Sequence, residues 1–245
     1  MGQGGIELLP MLLFLIVAIL YSSVGHAGAS GYLAVMALLG VAAGIMRPAA
    51  LLLNLVVASV GARAFISAGH LRWPLLWPFL VTSVPMAYIG GRISLPVDVY
   101  RSLVGVVLLL SALRLIMQVR APDSPGMPPR RPVAMAVGAA LGLLAGLTGV
   151  GGGIFLSPLL LLAGWANLRT TAATSVVFIL ANSASGLLGQ LHAIESIPVT
   201  TVLPWAVAVL LGGLIGSELG ARRLPSPAIR ATLAVVLVVA GVKLL

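Results

Sequence analysis

The chain has 245 residues, of which 60% are hydrophobic and 8% charged, with a mean hydropathy of +1.16. Soluble domains carry about 25% charged residues, and no water-soluble fold covers this much apolar surface, so the composition specifies an integral membrane protein. The net charge of +9 gives no reason to expect nucleic acid, because the basic residues fall mainly between apolar runs, where membrane proteins carry them. Zero cysteines exclude disulfides, thiolate metal sites and thiol chemistry, and no cofactor is implied.

In chain order, the first apolar segment is expected over residues 6–24. Glu7 precedes it and no Lys or Arg does, so it lacks the basic region of a signal peptide and is read as a retained helix. The stretch 22–32, SSVGHAGASGY, interrupts the apolar sequence, which resumes over 32–44. Met46, Arg47 and Pro48 read as a connection, with Pro48 suited to a helix start. Further segments follow over 49–68, 73–91 and 99–119. Residues 120–132 (RAPDSPGMPPRRP) are the polar, proline-rich linker near the midpoint. They divide the chain into a first transmembrane repeat (1–119), a cytoplasmic linker (120–132) and a second transmembrane repeat (133–245).

The second half follows the same plan. An apolar run over 133–147 stops at Thr148, the glycine-rich break Gly149–Gly153 follows, and segments are expected over 158–165, 170–191, 197–216 and 227–245. Ser157 and Pro158 read as the N-cap and first-turn proline of the restarted helix. Leu95–Pro96 recurs as Leu224–Pro225 and Arg101 recurs as Arg230, both 129 positions on.

The short piece at 158–165 spans only about 12 Å as helix, far less than the roughly 30 Å hydrocarbon core. Each broken segment is therefore a hairpin that enters and returns, or one interrupted helix that crosses. Hairpins leave three further crossings per half and invert the second half; interrupted crossings make the halves parallel. With hairpins, Arg72, Arg120, Arg130, Arg131, Arg169, Arg222 and Arg223 collect on one side, against Arg47, Arg92 and Lys243 on the other. With interrupted crossings the same ten split five and five. The positive-inside rule selects hairpins. The expected fold is an all-α polytopic membrane protein of two inverted repeats, each a glycine-broken helical hairpin followed by three transmembrane helices, with both termini outside.

Unwound backbone at membrane depth is tolerated where it lines a cavity or is buried in protein. Helix N-termini carry partial positive charge and free N–H donors, so two facing breaks suit a small anion. The blander reading is that the glycines only allow close helix packing. On the anion reading the first break supplies Ser23, Gly25, His26, Gly28 and Ser30, and the second supplies Thr148, Gly149, Gly151, Gly152 and Gly153. Thr170, Thr171, Thr174, Ser175, Asn182, Ser183 and Ser185 cluster on the segment after the second break. Ser175 and Asn182 are seven apart and share a helical face. Asn54 is placed at the position corresponding to Ser175, and these three join the site. Hydroxyls and amides donate to an oxyanion without the desolvation cost of a charged partner. For His26 three readings stand together: an imidazolium ligand, a carrier of a coupled proton, and a neutral partner within the hairpin.

The stretch GLLAGLTGVGGGIFLSPLL at 142–160, followed by RTTAATS at 169–175, resembles the second-half signature of the sulfite exporter TauE/SafE family of membrane permeases. The break at Gly25–Gly31 and the stretch Pro48–Asn54 resemble its first-half counterpart, departing from it in the HAGAS sequence around His26. The resemblance covers nearly the whole chain. It implies a permease of the bacterial cytoplasmic membrane that moves small sulfur-containing anions such as sulfite, sulfoacetate or other organosulfonates. The residues alone reach only a small anion. The lipid bilayer is the other partner, and a coupling proton or cation and a homodimer are left open.

Other polar residues read as scaffolding. His70 and His192 sit at segment ends, Arg63 snorkels near a helix end, Arg101 and Arg230 anchor corresponding helices, and Glu218 pairs with Arg222 at i+4. Trp73, Trp77, Trp165 and Trp205 fit interfacial belts. Three histidines and five acidic residues form no convergent set for a membrane enzyme and no metal motif, so an enzyme is not expected. An anion channel of the same architecture is the alternative to a transporter, and concentrative flux separates the two.

Overall fold

A computed structural model describes residues 8–23, 25–116, 127–191, 199–222, 237–239 and 241–245, with the side chains of 114–116 and 220–222 also outside the description. Linker residues 120–126, His192, Arg223, Leu224–Pro225 and Arg230 lie outside the described residues. The described elements are helices: α1 (Leu8–Ser22), α2 (Ala29–Leu38), α3 (Ala43–Ser67), α4 (Trp73–Arg92), α5 (Val97–Ile116), α6 (Arg131–Thr148), α7 (Gly153–Leu162), α8 (Leu168–Leu188) and α9 (Val199–Arg222). Residues 237–239 and 241–244 are helical as well. A helix satisfies its backbone internally, which lipid demands. Among these, α3, α6, α8 and the Val199–Leu219 part of α9 are long and apolar enough to cross a membrane.

Three boundaries differ from the sequence expectation. The helix after the second break starts at Gly153, capped by Gly152, so Ser157 is inside α7 and not its cap. The helix after the first break likewise starts at Ala29, capped by Gly28. Met46, Arg47 and Pro48 are not a connection; α3 begins at Ala43 and runs through them. Arg47 is accordingly a buried helix residue, 7% exposed, rather than a loop charge.

The two breaks share one backbone plan. Gly25, Gly28 and Gly40 have φ of +74°, +94° and +74°, and Gly149, Gly152 and Gly164 have +83°, +80° and +67°, each pair 124 positions apart. The left-handed conformation is open to glycine and costly for other residues, so composition dictates where each helix stops and restarts.

After its break α2 doubles back along α1. The Phe14 and Tyr32 rings lie 5.6 Å apart, and a Cβ on Gly31 would strike Val17 and stand 3.0 Å from the Tyr21 ring. α7 packs on α8, and its Leu156 and Leu160 share an apolar cluster with Ala134, near the start of α6. Ten-residue helices span about 15 Å, half the hydrocarbon core, so neither α2 nor α7 crosses the membrane alone.

Packing crosses between the halves. α3 and α8 pair at the centre, α4 packs on α6 and α8, and α9 packs on α1 and α3. Exchanging the halves maps this pattern onto itself. Two seams bring backbones into contact. Gly138, Gly142 and Gly146 of α6, spaced by four, lie on the carbonyls of Phe79, Ser83 and Ala87 of α4. Gly212 and Gly216 of α9 lie on the carbonyls of Leu15 and Ile19 of α1. This is the small-residue packing of membrane helices, close enough for Cα–H···O contacts.

Candidate site at the paired helix breaks

Each break docks on the long helix of the other half. Gly25 presses against Ala172 of α8 so closely that a Cβ would overlap it. Gly149 rests on Arg47 of α3, where a Cβ would stand 2.9 Å from its carbonyl oxygen. A Cβ on Gly151 would stand 2.8 Å from Ser183 Oγ and 3.0 Å from Asn54 Nδ2. The glycines thus bring bare backbone against the central α3–α8 pair, and Gly151 brings it against the polar side chains of Asn54 and Ser183.

A buried polar chain links the halves. His26, 4% exposed, has Nε2 2.9 Å from Ser157 Oγ, and Ser157 Oγ is 2.7 Å from Ser175 Oγ. Ser157 also donates to the Gly153 carbonyl at 2.9 Å. A hydroxyl has one proton. With that proton on Gly153 O, both His26 Nε2–H and Ser175 donate to Ser157. Ser175 is then left with lone pairs to accept.

Asn54 bridges in the other direction, its Nδ2 donating to Val150 O in the second break and to Ser183 Oγ of α8, each at 3.3 Å. Its Oδ1 has no partner among the described residues, and the same holds for Asn182 Oδ1, Thr171 Oγ1, Thr174 Oγ1, Ser22 Oγ and Tyr32 Oη. Four of these atoms, Asn54 Oδ1, Asn182 Oδ1, Thr171 Oγ1 and Thr174 Oγ1, belong to the α3–α8 pair, and a buried polar group left unsatisfied costs about 1–3 kcal/mol. The first amides of α2 and α7 lack intrahelical acceptors by geometry and add donors with partial positive charge.

The expected residues do not all converge. Ser23 donates to Leu20 O at 2.7 Å and Ser30 to Tyr21 Oη at 3.0 Å, so both serve the first hairpin. Thr148 donates to Leu144 O and accepts from Val150 N–H, holding the second break from within. Asn182 donates to Phe178 O in its own helix. Asn54 lies 12 residues beyond the α3 cap Ala42 and Ser175 lies 8 beyond the α8 cap Asn167, so they are one turn out of register, not equivalent. Ser157 and Ser183 are linking residues that sequence reasoning undervalued. For Ser157 the available signal was Gly153 four residues earlier, the acceptor a mid-helix serine needs.

A profile of the family described as Sulfite exporter TauE/SafE matches residues 10–244. A protein of Sinorhizobium fredii described as "Probable membrane transporter protein y4hK" is 38% identical over 238 residues, covering 95% of each chain. No solved structure matches. With its apolar helices and glycine breaks, the chain belongs to the sulfite exporter TauE/SafE family and is a multi-pass integral membrane transporter, not an enzyme.

Proposed function

We propose that this transporter moves a small sulfur-containing anion, such as sulfite, sulfoacetate or another organosulfonate, by alternating access across the cytoplasmic membrane. The anion is held between the two breaks by the first amides of α2 and α7, with His26 at its edge, and Asn54 and Ser175 donate to it by giving up the acceptors they hold without it, Val150 O or Ser183 Oγ and Ser157 Oγ. One observation carries this reading: each left-handed glycine break docks on the long helix of the other half, and Thr171 and Thr174, which flank the contact at Ala172, have buried hydroxyls without a partner among the described residues. Such paired interruptions near mid-membrane are how transporters of repeated halves build anion sites. The test is counterflow of radiolabelled sulfite into proteoliposomes preloaded with unlabelled sulfite, sulfoacetate or sulfate. Accumulation above the outside concentration supports a transporter, whereas passive equilibration alone makes it a channel.

The halves 1–119 and 133–245 are inverted in this reading, with the 120–132 linker cytoplasmic. The folding back of α2 on α1 supports hairpins. Removing Arg47 from the loop charges leaves seven cations on the linker side against Arg92 and Lys243, while interrupted crossings leave five against four. Leu39 (40% exposed) and Ala163 cap α2 and α7. Leu39→Cys and Ala163→Cys, each alone in this cysteine-free chain, are expected to react with an impermeant maleimide from opposite sides of the membrane. Reaction of both from one side makes the halves parallel.

If His26 meets the anion as imidazolium, sulfite affinity falls as pH rises through the imidazole titration, and His26→Gln flattens that profile. A folded His26→Gln variant with the wild-type pH profile returns His26 to a hairpin role.

A further inference from the structure

Arg47 is a buried charge that the central site does not use. Its Nε donates to Gly146 O at 2.7 Å, one Nη donates to Ile93 O at 2.9 Å and the other to Gly90 O. All three carbonyls sit at the C-terminal ends of α6 and α4, where the last carbonyls lack intrahelical donors and carry the negative end of the helix dipole. This explains how a cation persists at depth with no carboxylate among those partners. A guanidinium has five N–H donors; among the described residues three are engaged and two remain.

Arg47 also lines a cavity of about 210 Å³ with Gly44, Ser94, Tyr100 and Gln190. Gly44 and Ser94 are exposed and form its mouth. At about 30 Å³ per water the volume equals about seven waters, room for a small oxyanion. The cation has no counterpart across the pseudo-symmetry: Gly149 stands on Arg47 as Gly25 stands on Ala172.

We propose that Arg47 and this cavity form an outer anion site. A small oxyanion is captured by the two spare guanidinium N–H groups with help from Ser94 and Gln190, and then passes to the second break, whose Gly149 adjoins Arg47. Capture stands on the cavity and the guanidinium alone; the onward step rests on the transport reading above.

Arginine-selective phenylglyoxal, with the modified peptide mapped by mass spectrometry, reads this site directly on the full chain in detergent. Sulfate, which unlike sulfite does not add to the aldehyde of the reagent, is expected to protect Arg47. Gly44 lines the cavity and a Cβ on it meets nothing within 4 Å, so Gly44→Leu adds bulk at the cavity wall from open space and improves the helix. This variant should keep its thermal stability while its half-protecting anion concentration rises about tenfold or more, as loss of a charge-assisted hydrogen bond implies. No protection in wild type, or equal protection in Gly44→Leu, overturns the proposal. If the reagent cannot reach Arg47, an unchanged half-saturation for sulfite transport in Gly44→Leu overturns it instead. Protection that persists where proteoliposomes take up no sulfur anion leaves this site standing and sinks the transport reading.

Discussion

Gly142→Leu is expected to abolish the folded protein. Its Cβ would fall within the van der Waals shell of the Ser83 carbonyl, Cα and carbonyl carbon, and backbone inside a helix cannot step aside. The obstruction spreads along the seam, because Gly138 and Gly146 hold α6 equally close to Phe79 and Ala87. Forcing the helices apart removes packing along both and pulls Gly146 O from Arg47. Overpacking a tight core costs about 1–3 kcal/mol and at times more, against a total stability of about 5–15 kcal/mol; a blocked backbone seam belongs at or above the top of that range. Fluorescence-detected size exclusion should find aggregate, or a monomer with sharply lowered melting temperature. Gly44→Ala is the control, with open space and a gain of up to about 1 kcal/mol in helix propensity. Native-like melting of Gly142→Leu means that α6 does not lie on the α4 backbone.

Gly151→Leu is expected to eliminate anion binding. Its side chain would enter the space between Asn54 Nδ2, Ser183 Oγ and Ile179, the centre of the proposed site. The difficulty is that Gly151 has φ of +76°, so any side chain adds strain of about 1–2 kcal/mol. Gly164 supplies the control, with φ of +67° and nothing within 4 Å. Gly164→Ala carries the strain without the intrusion, and Gly151→Ala carries both. Wild type at a hundredfold excess of sulfite over its dissociation constant should gain about 2.7 kcal/mol of stability. Gly164→Ala should keep that gain from a lower baseline, while Gly151→Ala should lose most of it and Gly151→Leu all of it. Equal gains in the Gly151 and Gly164 variants place the anion elsewhere.

What the residues declared most clearly were the breaks. A run such as Gly149–Gly153 inside apolar sequence has few physical uses, because left-handed backbone needs glycine. Helix starts were harder. Pro48 and Pro158 look like first-turn prolines, yet each lies inside its helix. Each removes one N–H and crowds the carbonyl four residues earlier, a cost of about 3 kcal/mol that packing of the helix within the protein offsets. Arg47 read as a loop charge for the same reason; what buries it is two helix ends brought in from residues 90–93 and 146, beyond any local pattern. Ser157 looked like a cap because Ser-Pro is a common cap pair, whereas its partners His26 and Ser175 lie 131 and 18 residues away. The α6 seam was legible in the spacing of Gly138, Gly142 and Gly146, though small residues at intervals of four do not name the helix they meet.

The crossing of the two seams sets a timetable for biosynthesis. The carbonyl of Ile19 waits for Gly216, which leaves the ribosome 197 residues later; at about 5–20 residues per second this is about 10–40 s. Through that interval α1 sits in lipid, or against the insertion machinery, without its final neighbour. The α4–α6 seam closes far sooner, since Ala87 and Gly146 are 59 positions apart. A ribosome stalled before α9 therefore leaves a chain with one seam made and the other open. Such a truncated product exposes the Leu15–Ile19 stripe to quality-control proteases, while its α4–α6 pair is already assembled.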